Sequence, residues 1–385
     1  MSAAGDDAFE PTLVAAQRRL LAVRPSDYAR TRNHLDGAAT KLSPYLTHGM
    51  LTVPQVLATL HLAPTHKLTM ELGWRAFFRH AWRHDGGAIF RSQRPGPLPD
   101  AAYAPTLPDD IAQGRTGLAV IDRAVRQLYA TGWLHNHARL WLASYVVHLR
   151  KVHWRAGADW LYGHLLDGDL ASNHLSWQWV AGTASHKPYL FNAENVRRYA
   201  PPDWHVDGSA LDIGYDRLEQ IARDPQARFA PAPGVDGMSP PDCHGAPADA
   251  ARADPAAVAG RDVWLVHAWD LADPPPDRLA VAVIDRGFHA RWPWSARRWR
   301  FVLARMQAIA PLCWVDRAGA LVDALAGARS VAGHGDPHLE SAFDRLALSP
   351  PPDAFGEPGR RCRSFSAWWA QVQPAGDPGQ PGLFD

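Results

Sequence analysis

The sequence predicts a mainly α-helical chain, in which an all-helical domain is followed by a smaller α/β domain. Before residue 205, apolar residues recur at helical spacing, and no alternating run typical of a strand is present. A segment rich in proline, alanine and glycine interrupts this pattern at 224–260 and is typical of a linker. Beyond it, short apolar runs alternate with helical stretches, as they do in a parallel sheet.

Helical periodicity is clearest in the middle of the first domain, which we assign to residues 1–223. One predicted helix face collects four apolar residues, Leu118, Ile121, Val125 and Leu128. The run 138–149 is apolar nearly all round, which predicts a helix buried among other helices. A further helix is predicted at 71–83.

The second domain, residues 261–348, carries the strand signals. Buried strands are predicted at 263–267, 279–284 and 312–315. Helical stretches at 295–309 and 319–327 separate or follow them, which favours a small parallel sheet. Residues 349–385 are predicted to hold a helix and a flexible C-terminal tail.

Composition excludes several classes of protein. The 385 residues are 46% hydrophobic and 21% charged, which excludes a wholly disordered chain. Lys and Arg number 40 against 39 Asp and Glu, so any nucleic acid must be bound through local patches. No apolar run is long enough to cross a bilayer, and the acidic start lacks the hydrophobic stretch of a secretory signal. Three scattered cysteines argue against a disulfide framework and favour a cytoplasmic location.

Residues 131–182 hold the candidate chemistry. Asp167 and Asp169 flank Gly168, and a glycine allows a flat ligand to approach the backbone closely. Arg139 lies on an otherwise apolar helix and needs a partner, which Asp167 could supply. Asn173 offers both a donor and an acceptor, which suits a heteroaromatic ring such as a flavin.

Each of these features also has a purely structural interpretation. The two aspartates around Gly168 could form the N-cap turn of a helix. Trp154 and Trp177 could relay an electron, but tryptophans at helical spacing often only fill a core. His135 and His137 lack the spacing of a zinc-binding helix, so no metal site is predicted.

Four motifs in the same order resemble the FAD-binding domain of the photolyase/cryptochrome family, over roughly residues 28–200. They are TKLSPYLTHG at 40–49, ELGWRAFFRH at 71–80, TGWLHNHARL at 131–140 and LLDGDLASNHLSWQW at 165–179. The resemblance implies a photolyase-like helical domain that binds FAD. It implies light-driven repair of pyrimidine dimers, in which excited reduced flavin gives an electron to a dimer flipped out of damaged DNA. The alternatives are a cryptochrome-like photoreceptor without repair activity, and a flavin-binding remnant with a structural role.

The resemblance also assigns roles to individual residues. Those that would contact FAD are Tyr28, Thr40, Lys41, Leu42, Ser43, Arg75, Asn136, Arg139, Asp167, Gly168, Asp169 and Asn173. The residues assigned to catalysis are Asn173, Trp177, Trp154, Glu71 and Trp74. The residues that would line the DNA-binding bowl are Glu71, Trp74, Asn136 and Arg139. Asn173 favours repair, because an amide has no acidic proton to give to the flavin.

Other positions depart from the family pattern. Leu140 stands where repair enzymes of the family usually carry Met or His, so the type of lesion is left open. The surface member of the electron relay is missing, and Tyr103 or Trp160 could replace it. The run VWLVHAWDLAD at 263–273 faintly resembles the family's antenna domain, which suggests a relocated antenna-like unit whose chromophore is unknown.

Two further surfaces could contact partners. Basic residues within 133–158 and the arginine-rich stretch 286–305 are predicted DNA contacts, although the second could equally be a helix that docks on the first domain. The tail segment Gln380–Phe384 resembles the short peptide that bacterial repair proteins offer to the sliding clamp.

Overall fold

The computed structural model of the chain describes residues 9–248 and 251–372. These residues group into two units, and each unit is assembled from separate stretches of the chain. The helical unit takes residues 23–40, 63–241 and the described part of 357–385. The α/β unit takes the described part of 1–22 together with 41–62 and 242–356. The predicted fold class, helices followed by a smaller α/β region, is confirmed.

In chain order, the helices are α1 (Leu13–Leu21), α2 (Pro25–Thr31), α3 (Ser43–Thr47), α4 (Val53–Thr59), α5 (Lys67–Asp85), α6 (Asp109–Ala112), α7 (Ala119–Thr131), α8 (Asn136–Ser144), α9 (Trp154–His164), α10 (Leu170–Ala181), α11 (Ala193–Tyr199), α12 (Tyr215–Arg223), α13 (Arg286–Arg291), α14 (Ala296–Ile309), α15 (Ala318–Leu325) and α16 (Phe365–Val372). The strands are β1 (Cys243–His244), β2 (Asp262–Val266), β3 (Leu279–Asp285), β4 (Trp294–Ser295), β5 (Leu312–Asp316) and β6 (Ser330–Ala332). Of the helices in the described residues, none has both the length and the apolar character that crossing a bilayer requires.

Helix α7 shows how the sequence sets the helical unit. Ile121, Val125 and Leu128 are fully buried on one face, as the spacing predicts. Gly132 then adopts a left-handed conformation with φ of 71°, and its N–H donates to the carbonyl of Leu128. A glycine accepts this φ without the strain that a side chain would bring, so the helix ends here.

The apolar run at 138–149 is buried as predicted, but it is not one regular helix. Helix α8 ends at Ser144, and a π-helical turn follows over Tyr145–Leu149. Lys151 closes this turn with φ of 52°. Its buried Nζ donates to the carbonyls of His148, Ile221 and Ala222 at 2.6–3.2 Å. The sequence pattern cannot show this, because two of the three acceptors lie 70 residues further along the chain.

The α/β unit contains a four-stranded parallel sheet in the order β5-β3-β2-β6. The predicted strands at 263–267, 279–284 and 312–315 are confirmed as β2, β3 and β5 to within one residue at each end. Strand β6 has only three residues, all of them partly exposed. An apolar run this short does not predict a strand. The sheet core contains Val263, Leu265, Val281 and Leu321, all fully buried.

Backbone hydrogen bonds hold parts of the predicted linker 224–260. The N–H of Phe229 donates to the carbonyl of Leu149 at 2.7 Å, and the N–H of Met238 donates to the carbonyl of Gln113 at 2.9 Å. Cys243–His244 pairs with Trp294–Ser295 as a short antiparallel ladder. Backbone bonds of this kind need no apolar side chains, so composition could not reveal them.

In the arginine-rich stretch 286–305, the three tryptophans and two of the six arginines are buried, so a DNA surface built on these residues is wrong. DNA contact through the exposed Arg286, Arg291, Arg297 and Arg300 stays a prediction. Arg298 is fully buried, with its guanidinium 3.8 Å from the ring centre of Trp294. Arg305 is buried and donates to Asp273 at 2.6 Å. The three interleaved tryptophans, Trp292, Trp294 and Trp299, are also buried. These side chains build the core of the α/β unit and are therefore not exposed for stacking on bases.

Open parallel sheets usually bind ligands beyond the carboxyl ends of their strands, where the strand order reverses. In this sheet the strand order reverses between β2 and β6. Side chains from the segments that follow these two strands fill the space at that point. Trp269 stacks on His338 with ring centres 4.5 Å apart and planes at 8°. A ring nitrogen of His267 lies 2.8 Å from the carbonyl oxygen of His334. The remaining cavity beside these rings is only about 10 Å³, and the antenna chromophore stays unidentified.

Candidate functional site

Asp169 is the charged centre of the site and the N-cap of α10. Its Oδ1 accepts from the N–H of Ser172 at 2.9 Å. Its Oδ2 accepts from Nε and Nη2 of Arg79 at 3.0 and 2.8 Å, and Nη2 of Arg75 lies 3.6 Å away. Only 1% of the Asp169 side chain is exposed, so two arginines of α5 neutralise a buried carboxylate. The N-cap interpretation is therefore confirmed, while a contact with a cofactor edge stays a prediction.

Arg79 was not among the predicted site residues, although the sequence contains a signal for it. It follows Arg75 by four residues in α5, and residues four apart lie on the same face of a helix. The more distant Arg75 was expected near the cofactor, and it lies in the same cluster around Asp169.

Arg139 and Asp167 form the ion pair that the sequence predicts. Nη2 of Arg139 donates to Oδ2 of Asp167 at 2.7 Å, and Nε donates to the carbonyl of Leu134 at 3.0 Å. The Asp167 side chain is 3% exposed and that of Arg139 25% exposed. Two arginine-bound carboxylates, those of Asp167 and Asp169, thus lie on either side of Gly168 at the start of α10. All three residues are buried.

Asn173 lies one turn into α10 from Asp169. Its Nδ2 donates to the carbonyl of Ala158 in α9 at 2.8 Å, which fixes the orientation of the amide. Within the described residues, no side-chain or backbone donor bonds its Oδ1, which therefore remains an acceptor. The neighbouring Ser172 has a buried Oγ without a hydrogen-bond partner among the described residues. Both oxygens belong to the first turn of α10.

Glu71 is a titratable residue of α5. Its Oε1 lies 3.7 Å from Nε of Arg32, and the side chain is 32% exposed. Desolvation raises the pKa of Glu71 to about 7, while Arg32 and Lys67 act in the opposite direction. Burial, assisted by the Glu71 carboxylate, raises the pKa of Tyr28 well above its usual value. Glu71 therefore changes protonation near neutral pH, and Tyr28 stays a neutral hydroxyl.

We expect Glu71→Gln to stabilise the chain more at pH 8 than at pH 5. Because the folded-state pKa of Glu71 is raised, the ionised carboxylate costs stability as the pH rises from the unfolded value of 4.5 through about 7. The glutamine removes this cost, and because part of the side chain is exposed we expect a pH-dependent gain of about 1 kcal/mol. Urea unfolding at both pH values measures it. The exposed Glu219→Gln in α12 serves as the control for loss of one carboxylate, and a gain that is larger at pH 5 would contradict the prediction.

Trp74 lies one helical turn from Glu71 and is partly exposed. Its ring packs against Phe77 and Phe78 of the same helix, with ring centres 5.7 and 5.5 Å apart. Phe365 of α16 stacks flat on it, with ring centres 4.1 Å apart and planes at 7°. Sequence reasoning missed Phe365, because no pattern connects residues almost 300 positions apart.

The two tryptophans of the predicted relay are buried, each 2% exposed. Trp177 fits against Gly157, where an added Cβ would lie 2.3 Å from the ring. Trp154 donates from Nε1 to Ser92 Oγ at 3.0 Å. On its other side, His153 lies 5.6 Å from the Trp154 ring centre and 6.4 Å from that of Tyr103.

This order of rings favours Tyr103 over Trp160 as the outer member of the relay. Trp160 instead donates from Nε1 to the hydroxyl of Tyr129 at 3.1 Å and packs beside His164. Burial raises the pKa of Tyr103 to about 12, so its hydroxyl carries a proton at neutral pH. The role of either residue in electron transfer stays a prediction.

The remaining predicted cofactor residues are spread over the chain. Asn136 is the exposed first residue of α8, behind the N-cap His135. Thr40 belongs to the helical unit, whereas Lys41, Leu42 and Ser43 belong to the α/β unit at the start of α3. Lys41 has a left-handed backbone with φ of 52°. Their expected contact with cofactor phosphates stays a prediction.

The basic residues within 133–158 have partners inside the protein, and their contact with DNA phosphates stays a prediction. Arg150 forms two hydrogen bonds to Asp110, at 2.5 and 3.0 Å. Arg155 donates to Asp159 at 2.6 Å. Arg139 and Lys151 have the partners described above. The segment 133–158 contains no acidic residue, so its basic residues look unpaired in the sequence. Asp110, the partner of Arg150, lies 40 residues before it and outside this segment.

Within the described residues, one group of side chains could be mistaken for a metal site: His80, His84 and Glu357. Nε2 of His80 accepts from the N–H of Cys362 at 2.9 Å, so its Nδ1 carries the proton and donates to Glu357 at 2.5 Å. Arg83 also bonds Glu357. A histidine with both nitrogens used and a carboxylate paired with arginine make poor ligands.

Part of the helical unit is similar to known proteins. Residues 68–204 match a family model described as the FAD binding domain of DNA photolyase. A deoxyribodipyrimidine photo-lyase of Streptomyces griseus is 32% identical over 252 residues, which is 55% of this chain and 52% of that protein. A cryptochrome DASH of Idiomarina loihiensis is 30% identical over 210 residues, 50% of this chain and 46% of that protein. The chain thus spans about half the length of the curated relatives it matches. A solved Synechocystis cryptochrome covers 60% of this chain and 54% of its own, at 25% identity and a TM-score of 0.45.

Proposed function

We propose that the helical unit holds a FAD-binding domain of the photolyase/cryptochrome family, and that the chain is a FAD-dependent photolyase that repairs pyrimidine dimers in DNA. When it is bound and reduced, the flavin supplies the light-excited electron that splits a dimer. The protein must then bind the cofactor, keep it reduced and present the lesion to it.

Polar groups of the helical unit fit such a cofactor. Asn173 Oδ1 and the buried Ser172 Oγ have no bond from the described residues, so both can serve a ring with N–H and carbonyl edges. Arg75, Arg79 and Arg139 supply positive charge around the buried aspartates at the start of α10. These are the groups that an anionic or electron-rich ring system requires nearby.

Asn173 carries the proposal. Its anchored amide presents an oxygen that can accept from a protonated ring nitrogen, which a reduced flavin has. The amide has no acidic proton, so it would hold the ring by accepting a hydrogen bond and would not act as a proton donor to it. Trp74 and Glu71 would hold the lesion, through stacking and a hydrogen bond respectively.

A second candidate is a cryptochrome-like photoreceptor that uses the same cofactor without repair. The stack of Phe365 on Trp74 favours it, because this contact covers the ring that a flipped lesion would meet. Both candidates predict bound flavin, and only the first predicts chemistry on DNA.

A repair assay on the photoreduced full chain separates the two. We expect an oligonucleotide with one cyclobutane dimer to be restored in the light and unchanged in the dark. Trp74→Ala is expected to weaken binding of this DNA about tenfold, since base stacking on an aromatic ring contributes about 1–3 kcal/mol. Trp264→Ala, an equal truncation on β2 of the α/β unit, is the matched control.

Bound, photoreducible flavin without repair of a cyclobutane or a (6-4) lesion would contradict the repair proposal and favour the photoreceptor. Equal losses in Trp74→Ala and Trp264→Ala would instead remove Trp74 from the lesion site. A second lesion must be assayed, because Leu140 leaves the lesion type open.

A further inference from the structure

The last described segment, residues 357–372, lies along α5, and we call it the C-terminal strap. Phe365 begins α16 and stacks flat on Trp74 with 4.1 Å between ring centres. Phe365, Trp368 and Trp369 are 3%, 1% and 5% exposed, so the strap buries its three large aromatic residues. Parallel rings at this distance are in direct face-to-face contact.

Helix α5 is shaped to receive the strap. At Gly73, next to Trp74, an added Cβ would lie 2.5 Å from the six-membered ring of Trp369. Only a residue without a side chain allows this approach, and the glycine sits in the interior of a helix, where alanine would be more favourable by about 1 kcal/mol. The close packing of Trp369 therefore requires a residue that lowers the intrinsic stability of helix α5.

Polar contacts fasten the start of the strap to the same helix. Glu357 accepts from His80 and pairs with Arg83, and Arg361 donates from Nε to Asp85 at 2.9 Å. Glu357 is 41% exposed, and the side chains of Arg361 and Asp85 are about a quarter exposed. Ion pairs this close to solvent stabilise weakly, so these polar contacts add little to the hold that the buried aromatic residues give the strap.

We propose that the C-terminal strap is an autoinhibitory lid, in which Phe365 occupies on Trp74 the place of the lesion base and must leave before damaged DNA binds. This proposal rests on the function proposed above, since it takes Trp74 as the stacking platform for the lesion. The strap and the DNA then compete for one aromatic face. The measured affinity for damaged DNA falls in proportion to the fraction of molecules in which the strap is open.

Cys362 reports the position of the strap. Its side chain is 4% exposed, and its backbone N–H donates to His80, so alkylation requires the strap to leave α5. Cys243 and Cys313 are both partly exposed and serve as internal references in the same protein. In the full chain, we expect DNA with a cyclobutane dimer to accelerate alkylation of Cys362 relative to intact DNA, as measured by mass spectrometry.

Two variants open the strap by different routes. Phe365→Ala removes the stack, and Glu357→Gln loosens the exposed polar contacts without touching Trp74 or the core. We expect each to raise the dark affinity for dimer-containing DNA about threefold or more and to speed alkylation of Cys362 to a similar extent. Glu340→Gln, which removes a comparably exposed carboxylate paired with Arg291, is expected to change neither quantity.

The two proposals fail differently. If the chain prefers dimer-containing DNA, but Glu357→Gln and Phe365→Ala leave or lower that affinity, the strap is a structural part of the helical unit and the lid is disproved. If no variant distinguishes dimer-containing from intact DNA while Cys362 responds to both substitutions, the proposed repair function is wrong, and the assignment of the strap as a competitor of the lesion falls with it.

Discussion

Asp169→Ala is expected to lower the free energy of unfolding by about 3–5 kcal/mol, because it leaves buried arginine charge without a partner. The carboxylate accepts two hydrogen bonds from Arg79 and lies close to Arg75, and its other oxygen caps α10. Urea unfolding of the full chain measures the loss. Flavin retained after purification is expected to fall as well, since α10 carries Asn173.

Asp169→Asn separates the two roles of the side chain. Asparagine is also a good N-cap, so the bond to the N–H of Ser172 is kept while the charge is lost. We expect this variant to recover about 1 kcal/mol relative to alanine. A loss below about 1 kcal/mol for Asp169→Ala would show that the arginines find other partners, and would contradict the buried ion pair as the main source of stability.

Gly157→Ala is expected to cost about 2–3 kcal/mol, although alanine is normally the better helix residue. The new methyl group would lie 2.3 Å from two ring atoms of Trp177, and that ring is buried. A clash this close must displace the ring or separate α9 from α10. Thermal or urea unfolding measures the cost.

A double-mutant cycle tests this cause. Combining Gly157→Ala with Trp177→Phe removes the outer ring atoms that clash, so the pair should lose less stability than the sum of the single changes. Gly319→Ala in α15 is the matched control, because its added Cβ meets no atom within 4 Å. We expect it to stabilise by about 0.5–1 kcal/mol. Additive losses in the cycle would mean that the clash is relieved elsewhere.

The sequence predicts those features whose cause is local. The face of Ile121 and Val125 and the strands β2, β3 and β5 follow from spacing and apolar runs. The pair of Arg139 and Asp167 follows from the cost of an unpaired charge on an apolar helix. In each case the cause, which is apolar spacing, an apolar run or an unpaired charge, can be seen within a few residues or within one cluster of motifs.

The rest depends on contacts that no local pattern contains. The arginine stretch 286–305 has the composition of a binding surface, yet Arg298 is buried over the ring of Trp294. The partner of Arg150 is Asp110, and the partner of Trp74 is Phe365. The sequence shows which side chains are charged or aromatic. The tertiary fold decides which of these side chains face solvent.

The way the chain is divided between its two units has a consequence for synthesis on the ribosome. The polypeptide passes from one unit to the other five times, after residues 22, 40, 62, 241 and 356. The α/β unit begins with α1 but closes only when β6 emerges, and the helical unit waits for α16. Because non-local contacts must form last, neither unit can mature before residues 242–356 have been translated. A stop codon between residues 242 and 332 would therefore release two unfinished units rather than one intact domain and one fragment.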